Sequence, residues 1–272
     1  MQSEIREEEP KLLVVFRVAL VLACFMSGLL YSLVVEKNVS KWNAESLIKK
    51  GIEYYIDTDF DKANKQFDKA INALNKVISL DPNDAFAYAW RGEAYYNKGQ
   101  YIDAMEDFNA AVRLDPNNAF AYARRGNNCR MMGENREAIA YLSEAIRLDP
   151  NDAYAYARRG DVYRVMGYYG DVMGCYDAAI SDLNEAIRLD PKNTFALSTR
   201  GDVYRLKGHY DAALGDLNEV IRLRPKYASA YGRRGRVYKQ NGQKDLAIQD
   251  FGKALSLDKS LRWVERELEE MQ

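Results

Sequence analysis

Leu80-Asp81-Pro82-Asn83, Leu114-Asp115-Pro116-Asn117 and Leu148-Asp149-Pro150-Asn151 are one phrase written three times, at steps of 34 residues. Leu189-Asp190-Pro191-Lys192 follows after 41 residues, and Leu223-Arg224-Pro225-Lys226 after another 34. Each phrase ends one helix and opens a turn, because proline lacks an amide donor and biases its predecessor away from helical geometry. A period of 34 with helical patterning inside it is the spacing of a helix–turn–helix repeat unit.

The residues between the phrases carry that patterning. In residues 85–118, Tyr88, Gly92 and Tyr95 fall on one face of a first helix, which Gly99 ends in left-handed geometry. Ala104, Phe108, Ala111 and Leu114 stripe a second helix at three- and four-residue steps. The same slots read Tyr122, Gly126, Cys129, Gly133, Ala138, Leu142 and Ala145 in the next unit. They recur as Leu197, Gly201, Tyr204, Gly208, Ala213, Leu217 and Val220, and again as Tyr231, Gly235, Tyr238, Gly242, Ala247, Phe251 and Ala254.

In these residues the chain resembles the tetratricopeptide-repeat (TPR) family, from about residue 44 to residue 259. The resemblance implies an all-α, right-handed α-solenoid of about six helix pairs, with units starting near 44, 85, 119, 153, 194 and 228. It also implies a concave groove, lined by the first helices, that receives peptides or proteins. Which partner is bound does not follow from the fold.

The unit starts are separated by 41, 34, 34, 41 and 34 residues, a long-short-short block written twice. Seven extra residues turn a helix by nearly two full turns, so an insertion of that size keeps an apolar face in register. Phe60, Ala63, Phe67, Ala70, Leu74 and Val77 continue the stripe in the first unit, and Tyr169, Val172, Tyr176, Ala179, Leu183 and Ala186 in the fourth. Each long unit is therefore expected to have a second helix lengthened by two turns, frayed in the fourth by Gly170 and Gly174. A seven-residue surface loop is the alternative.

Both ends differ from the repeat. Residues 260–272 are expected to form a capping helix, with Leu261, Val264, Leu268 and Met271 on one face. Residues 1–11 read as an N-terminal tail and residues 12–35 as a membrane-spanning helix whose one charge is Arg17. Residues 36–43 read as a short linker. A cleaved signal peptide would have a shorter apolar run and a more basic start than one carrying Glu7, Glu8 and Glu9. The expected localisation is single-pass membrane. Basic residues flank the span on both sides, so the side occupied by the repeats is left open.

Composition narrows the function. With 39 basic and 40 acidic residues, the chain has no global field favouring nucleic acid. Cys24, Cys129 and Cys175 lack the spacing of a disulfide framework or zinc site, and the single histidine, His209, reads as a solvated turn residue. No phosphate-cradling glycine motif or nucleophile-plus-base pair appears. The chain reads as a non-enzyme, with no cofactor or metal implied.

Outward positions of the first helices give three rows. Phe86, Phe120, Tyr154 and Phe195 form an aromatic row, and Trp90, Arg124, Arg158, Thr199 and Arg233 form a second. The third is Tyr96, Arg130, Arg164, Arg205 and Lys239. Arginine forks suit carboxylates, and rings give flat apolar contact area. These rows are the candidate partner-binding surface, for a protein or peptide ligand with acidic groups. The structural alternative is that Glu93, Asp161 and Asp202 neutralise the arginines in place, while the rings pack on the preceding unit. The lysine/asparagine clamp of chaperone-binding members is not reproduced, since Ala123 stands where the lysine is needed, one turn before Asn127.

Arg91, Arg125, Arg159, Arg200 and Arg234 directly precede the helix glycine, and Asp107, Asp182, Asp216 and Asp250 follow in the second helix. Intra-repeat ion pairs are expected. Arg125, whose unit has Tyr141 instead of aspartate, is expected to be free or paired elsewhere. The resulting functional expectation is a membrane-anchored interaction scaffold, with a self-assembling structural or assembly factor as the alternative.

Overall fold

The computed structural model describes residues 32, 34–54, 59–170 and 174–271, and these are helical apart from short turns and helix ends. They divide into two compact units, Met1–Pro116 and Asn117–Gln272. The N-terminal unit holds α1, described over residues 34–54, then α2 (Phe60–Leu80), α3 (Ala85–Asn97) and α4 (Tyr101–Leu114). The C-terminal unit holds α5 (Ala119–Met132), α6 (Asn135–Leu148), α7 (Ala153–Tyr168), α8 (Cys175–Leu189) and α9 (Thr194–Leu206). It continues with α10 (Tyr210–Leu223), α11 (Ala228–Gln240), α12 (Lys244–Leu257) and α13 (Arg262–Glu269). The fold is an all-α TPR solenoid with no strand among the described residues.

The repeated phrase works as a stop, a turn and a start. Asp81 caps the end of α2, and its carboxylate accepts from the Asn83 amide at 3.1 Å. Asp84 then caps α3 by accepting from the Ala87 amide at 3.1 Å. Asn118, Asp152 and Asn193 cap α5, α7 and α9 in the same way, each supplying an acceptor to an otherwise orphaned N-terminal donor. Inside each repeat the two helices cross at the glycine. A Cβ on Gly92 would lie 2.8 Å from the Phe108 ring, so any side chain there would push the helices apart.

The core follows the second-helix stripes. Ala63, Phe67, Ala70, Leu74 and Val77 of α2 are buried with Ala44 and Ile48 of α1. At the C-terminal end, Val264 and Met271 join Ala247, Phe251 and Ala254, with Leu261 and Leu268 packed against them, so α13 covers the apolar edge of the last repeat.

Two expectations need correction. Residues 36–43 are not a linker but part of α1. Lys37, Lys41, Ala44 and Ile48 fall on one helix face, and the two lysines reach Asp81 at 2.5 Å and Asp84 at 2.9 and 2.5 Å. Their polar composition resembles a linker, yet it is the polar part of a docked face. The expected span, residues 12–35, lies outside the described residues except for 32, 34 and 35, and among the described residues no helix is long and apolar enough to cross a membrane.

The second correction concerns the long repeats. In the first, α2 is 21 residues against 14 for α4, as the continued stripe requires. In the fourth, α8 has only 15 residues, while α7 has 16 against 13 or 14 for the other first helices from α3 onward. Gly170 and Gly174 sit at φ 76° and 90°, geometry that glycine adopts at no steric cost and an α-helix excludes. Tyr169 is accordingly 71% exposed rather than part of a stripe, and Val172 lies outside the described residues.

Candidate functional site

The arginine before each helix glycine is structural. Arg91 forms a two-pronged bond with Asp107 at 2.8 and 2.6 Å, and Arg200 does the same with Asp216. Arg159–Asp182 and Arg234–Asp250 repeat the geometry. In each case the donated bond to aspartate raises the arginine above its usual range, outweighing the loss of hydration. The spare Nη1 donates backwards to the preceding repeat, from Arg91 to Asn75, from Arg159 to Ser143, from Arg200 to Asn184 and from Arg234 to Asn218. Sequence reading missed that second bond, although the acceptor stands sixteen residues before the arginine each time. Arg125 is not free: it donates to the Tyr141 hydroxyl at 2.7 Å and lies 3.9 Å from that ring's centre.

Cys129 fills the tyrosine slot of its repeat, is buried, and has its thiol pushed up to about 12, mainly by burial and then by Glu134. A thiol that stays protonated is a poor nucleophile. His209 is exposed and stacked on Tyr204 at 6.2 Å between ring centres.

The candidate binding residues divide by compact unit. In the N-terminal one, Phe86 lies 5.8 Å from Trp90, Lys41 sits over the Phe86 ring at 5.0 Å, and Trp90 packs on the α1–α2 core. Much of that aromatic surface is therefore used internally.

In the C-terminal compact unit the first two rows merge into one ladder. Arg124 lies 4.9 Å from the centre of Phe120 and 3.8 Å from that of Tyr154. Arg158 lies 4.9 Å from Tyr154 and 3.9 Å from Phe195. The order Phe120–Arg124–Tyr154–Arg158–Phe195 sandwiches each guanidinium between rings, in the cation–π range. The Tyr154 hydroxyl and the Arg158 Nε are buried without a hydrogen-bond partner. Thr199, the next position of the second row, is buried.

The third row is an ion-pair network. Arg130 and Arg164 converge on the buried Asp161 at 3.2 and 2.7 Å, and Arg233 is bonded to Asp202. Lys239 bridges Glu267 of α13 at 2.9 Å and Glu270, which caps that helix, at 2.7 Å, and Arg236 also reaches Glu267 at 2.7 Å. Arg205 is the exception, with Asp202 at 3.8 Å and its Nε buried and unbonded. Burial lowers the Arg205 pKa, and Arg236 and Arg233 add to the effect against the pull of Asp202.

Arg164, Arg205, Arg236, Lys239, Asp202 and Glu267 line a cleft of about 760 Å³, with Tyr168 and Tyr169 at its edge. The sequence rows do not contain Arg236, Glu267 or the two tyrosines. Arg236 stands one turn before Lys239 and could have been found by that spacing. The tyrosines could not, because the apolar stripe assigns Tyr169 to the second helix.

Family models for the tetratricopeptide repeat match the sequence of these units. A TPR repeat model matches residues 61–99, 126–167 and 201–242, and two further tetratricopeptide models match 85–118 and 228–261. The chain belongs to the tetratricopeptide-repeat family. Among solved structures, it is similar to MamA, with 27% identity over 62% of this chain and 95% of that one, at a TM-score of 0.51. It shares its fold with YrrB, described as a TPR protein with an unusual peptide-binding site, at 21% identity over 72% of this chain and 98% of that one, TM-score 0.53. It also shares it with PilF of Pseudomonas aeruginosa, at 17% identity over 86% and 99% of the two chains, TM-score 0.63. A comparison with curated protein sequences finds no match.

Proposed function

We propose that this protein is a membrane-held scaffold that captures a partner protein on the faces of its first helices. The observation that carries the reading is the Phe120–Arg124–Tyr154–Arg158–Phe195 ladder. Arginine and tyrosine are the residue types that dominate binding hot spots, and stacking holds these guanidinium planes ready so that little side-chain freedom is lost on contact. YrrB, which shares the fold, is described by its peptide-binding site. The membrane half of the reading rests on the apolar run at residues 12–35 and on the exposed residues of α1 beside it. Val35, Val39 and Trp42 are exposed on the side of α1 away from its docked lysines, and tryptophan is favoured at the membrane–water boundary.

Two measurements test the halves separately. The full chain is expected to stay with membranes through alkaline carbonate washing, and its extraction would remove the anchor reading. A tagged full-length chain in mild detergent, retrieving partners from its own cells, is expected to lose its partner when Arg124→Ala and Arg158→Ala are combined. Undiminished recovery would remove the ladder from the interface.

A further inference from the structure

Building on the scaffold reading, we propose that the insertion in the fourth repeat creates a subsite for an acidic peptide segment, the cleft of Arg164, Arg205, Arg236 and Lys239 walled by Tyr168 and Tyr169. Among the described residues, the wall is particular to this repeat. The first helices α3, α9 and α11 stop at Asn97, Leu206 and Gln240, twelve residues after their starts, whereas α7 runs three residues further to Tyr168. That overrun and the turn after it put two tyrosines, 63% and 71% exposed, beside the cations. Their rings meet edge to face at 5.3 Å, which fixes each against the other.

The charge in the cleft is unbalanced. Its lining carries four cations, Arg164, Arg205, Arg236 and Lys239, against two carboxylates, Asp202 and Glu267. The next groups outward, Arg130, Arg233, Asp161 and Glu270, add two of each sign and leave the excess unchanged. Arg205 holds most of the deficit. Its side chain is 12% exposed, Asp202 stands at 3.8 Å while its other oxygen is bonded to Arg233, and the one hydrogen bond of Arg205 among the described residues goes to Gln240 at 3.1 Å. A buried charged donor left unmade is costly, and an entering carboxylate would supply a charge-assisted bond.

The apolar parts decide between a small anion and a peptide. Val165 and Leu206 join the tyrosines in the lining, and about 760 Å³ is the size of a site for a side chain with flanking backbone. A mineral anion would use the cations and leave the rings idle. A glutamate or aspartate beside an aromatic or aliphatic residue uses both.

The test is a selection from a phage-displayed library of random peptides on the full chain in detergent, followed by affinity measurements on the enriched sequence. Enrichment of Asp or Glu next to an apolar residue is expected, with affinity falling roughly tenfold in Arg205→Gln, as for loss of one charge-assisted bond. The double change Tyr168→Ser and Tyr169→Ser alters only exposed positions and is expected to weaken binding several-fold with helicity unchanged. Arg222→Gln, in an exposed pair with Glu219, should leave affinity as it was. A consensus without acids, or variants that bind like the original, would overturn the proposal. So would equal displacement of the peptide by inorganic phosphate, which would make this a small-anion site. In each case the Arg124/Arg158 partner-retrieval result decides whether the scaffold reading survives by itself.

Discussion

The first and fourth repeats each carry seven extra residues, and they use them differently. In the first, the extra residues lengthen α2, and the stripe from Ala63 to Val77 is buried against α1. In the fourth, α7 is longer, Gly170 and Gly174 take left-handed geometry, and Tyr168 and Tyr169 are exposed. Apolar spacing is the same in both, so periodicity did not decide the outcome. Two glycines did: a helix through them loses about 1 kcal/mol at each relative to alanine, whereas a left-handed turn loses nothing. The same length of chain therefore adds core in one repeat and accessible surface in the other.

The largest expected contrast comes from truncating a ring in each. Phe67→Ala removes a fully buried side chain of α2 and should destabilise by about 3–5 kcal/mol, read as a shift in denaturant midpoint. Tyr169→Ala should stay within about 0.5 kcal/mol. Comparable losses would mean the fourth repeat buries its insertion after all.

A second contrast lies at the residue before the helix glycine. In the fourth repeat Arg159 is bonded to Asp182, which is 6% exposed, while Lys50 of the first is exposed. Arg159→Ala leaves a buried carboxylate unpaired and should cost about 3 kcal/mol, with faster amide exchange at the α7–α8 contact. Lys50→Ala should change neither.

The turn itself can be challenged by Gly170→Ala with Gly174→Ala. Each alanine would be forced into left-handed geometry, at about 1–2 kcal/mol per position. A lower midpoint with unchanged helical circular dichroism is expected. Increased helicity with no loss of stability would show that these residues prefer the continuous helix.

The smallest effect is one of pH on the docking of α1, which has no counterpart in the fourth repeat. Burial pushes Asp84 up, but Lys37, Lys41 and the Ala87 amide together outweigh it and hold its pKa below the usual aspartate value. Its folded pKa being lower, its contribution is complete above the unfolded value of about 3.9 and is lost as pH falls through the folded pKa. Amide protection in α1 should therefore drop below about pH 4.

Much of this was legible from residue spacing. The proline-bearing phrases located the turns because proline and the capping carboxylates act locally, within a few residues. The pairing of Arg91 with Asp107 was legible because both recur with the period, so their helices must present them together. The candidate site was only half legible. The rows place Arg130, Arg164, Arg205 and Lys239 on successive first helices, but do not say which of them are already paired with acidic side chains.

The sequence by itself determined the repeat, its period, the helix boundaries at the prolines and the capping helix, since these follow from backbone chemistry and apolar periodicity. Tertiary structure alone decided three things. Residues 36–43 form a docked helix because Asp81 and Asp84, more than forty residues away, meet Lys37 and Lys41. Tyr168 and Tyr169 of the fourth repeat line a cleft because Arg205, Arg236 and Lys239 of later repeats stand beside them. Arg205 stands 3.8 Å from Asp202, whose other oxygen is bonded to Arg233 of a later repeat. Each outcome depends on which groups meet in space, which periodicity along the chain does not encode.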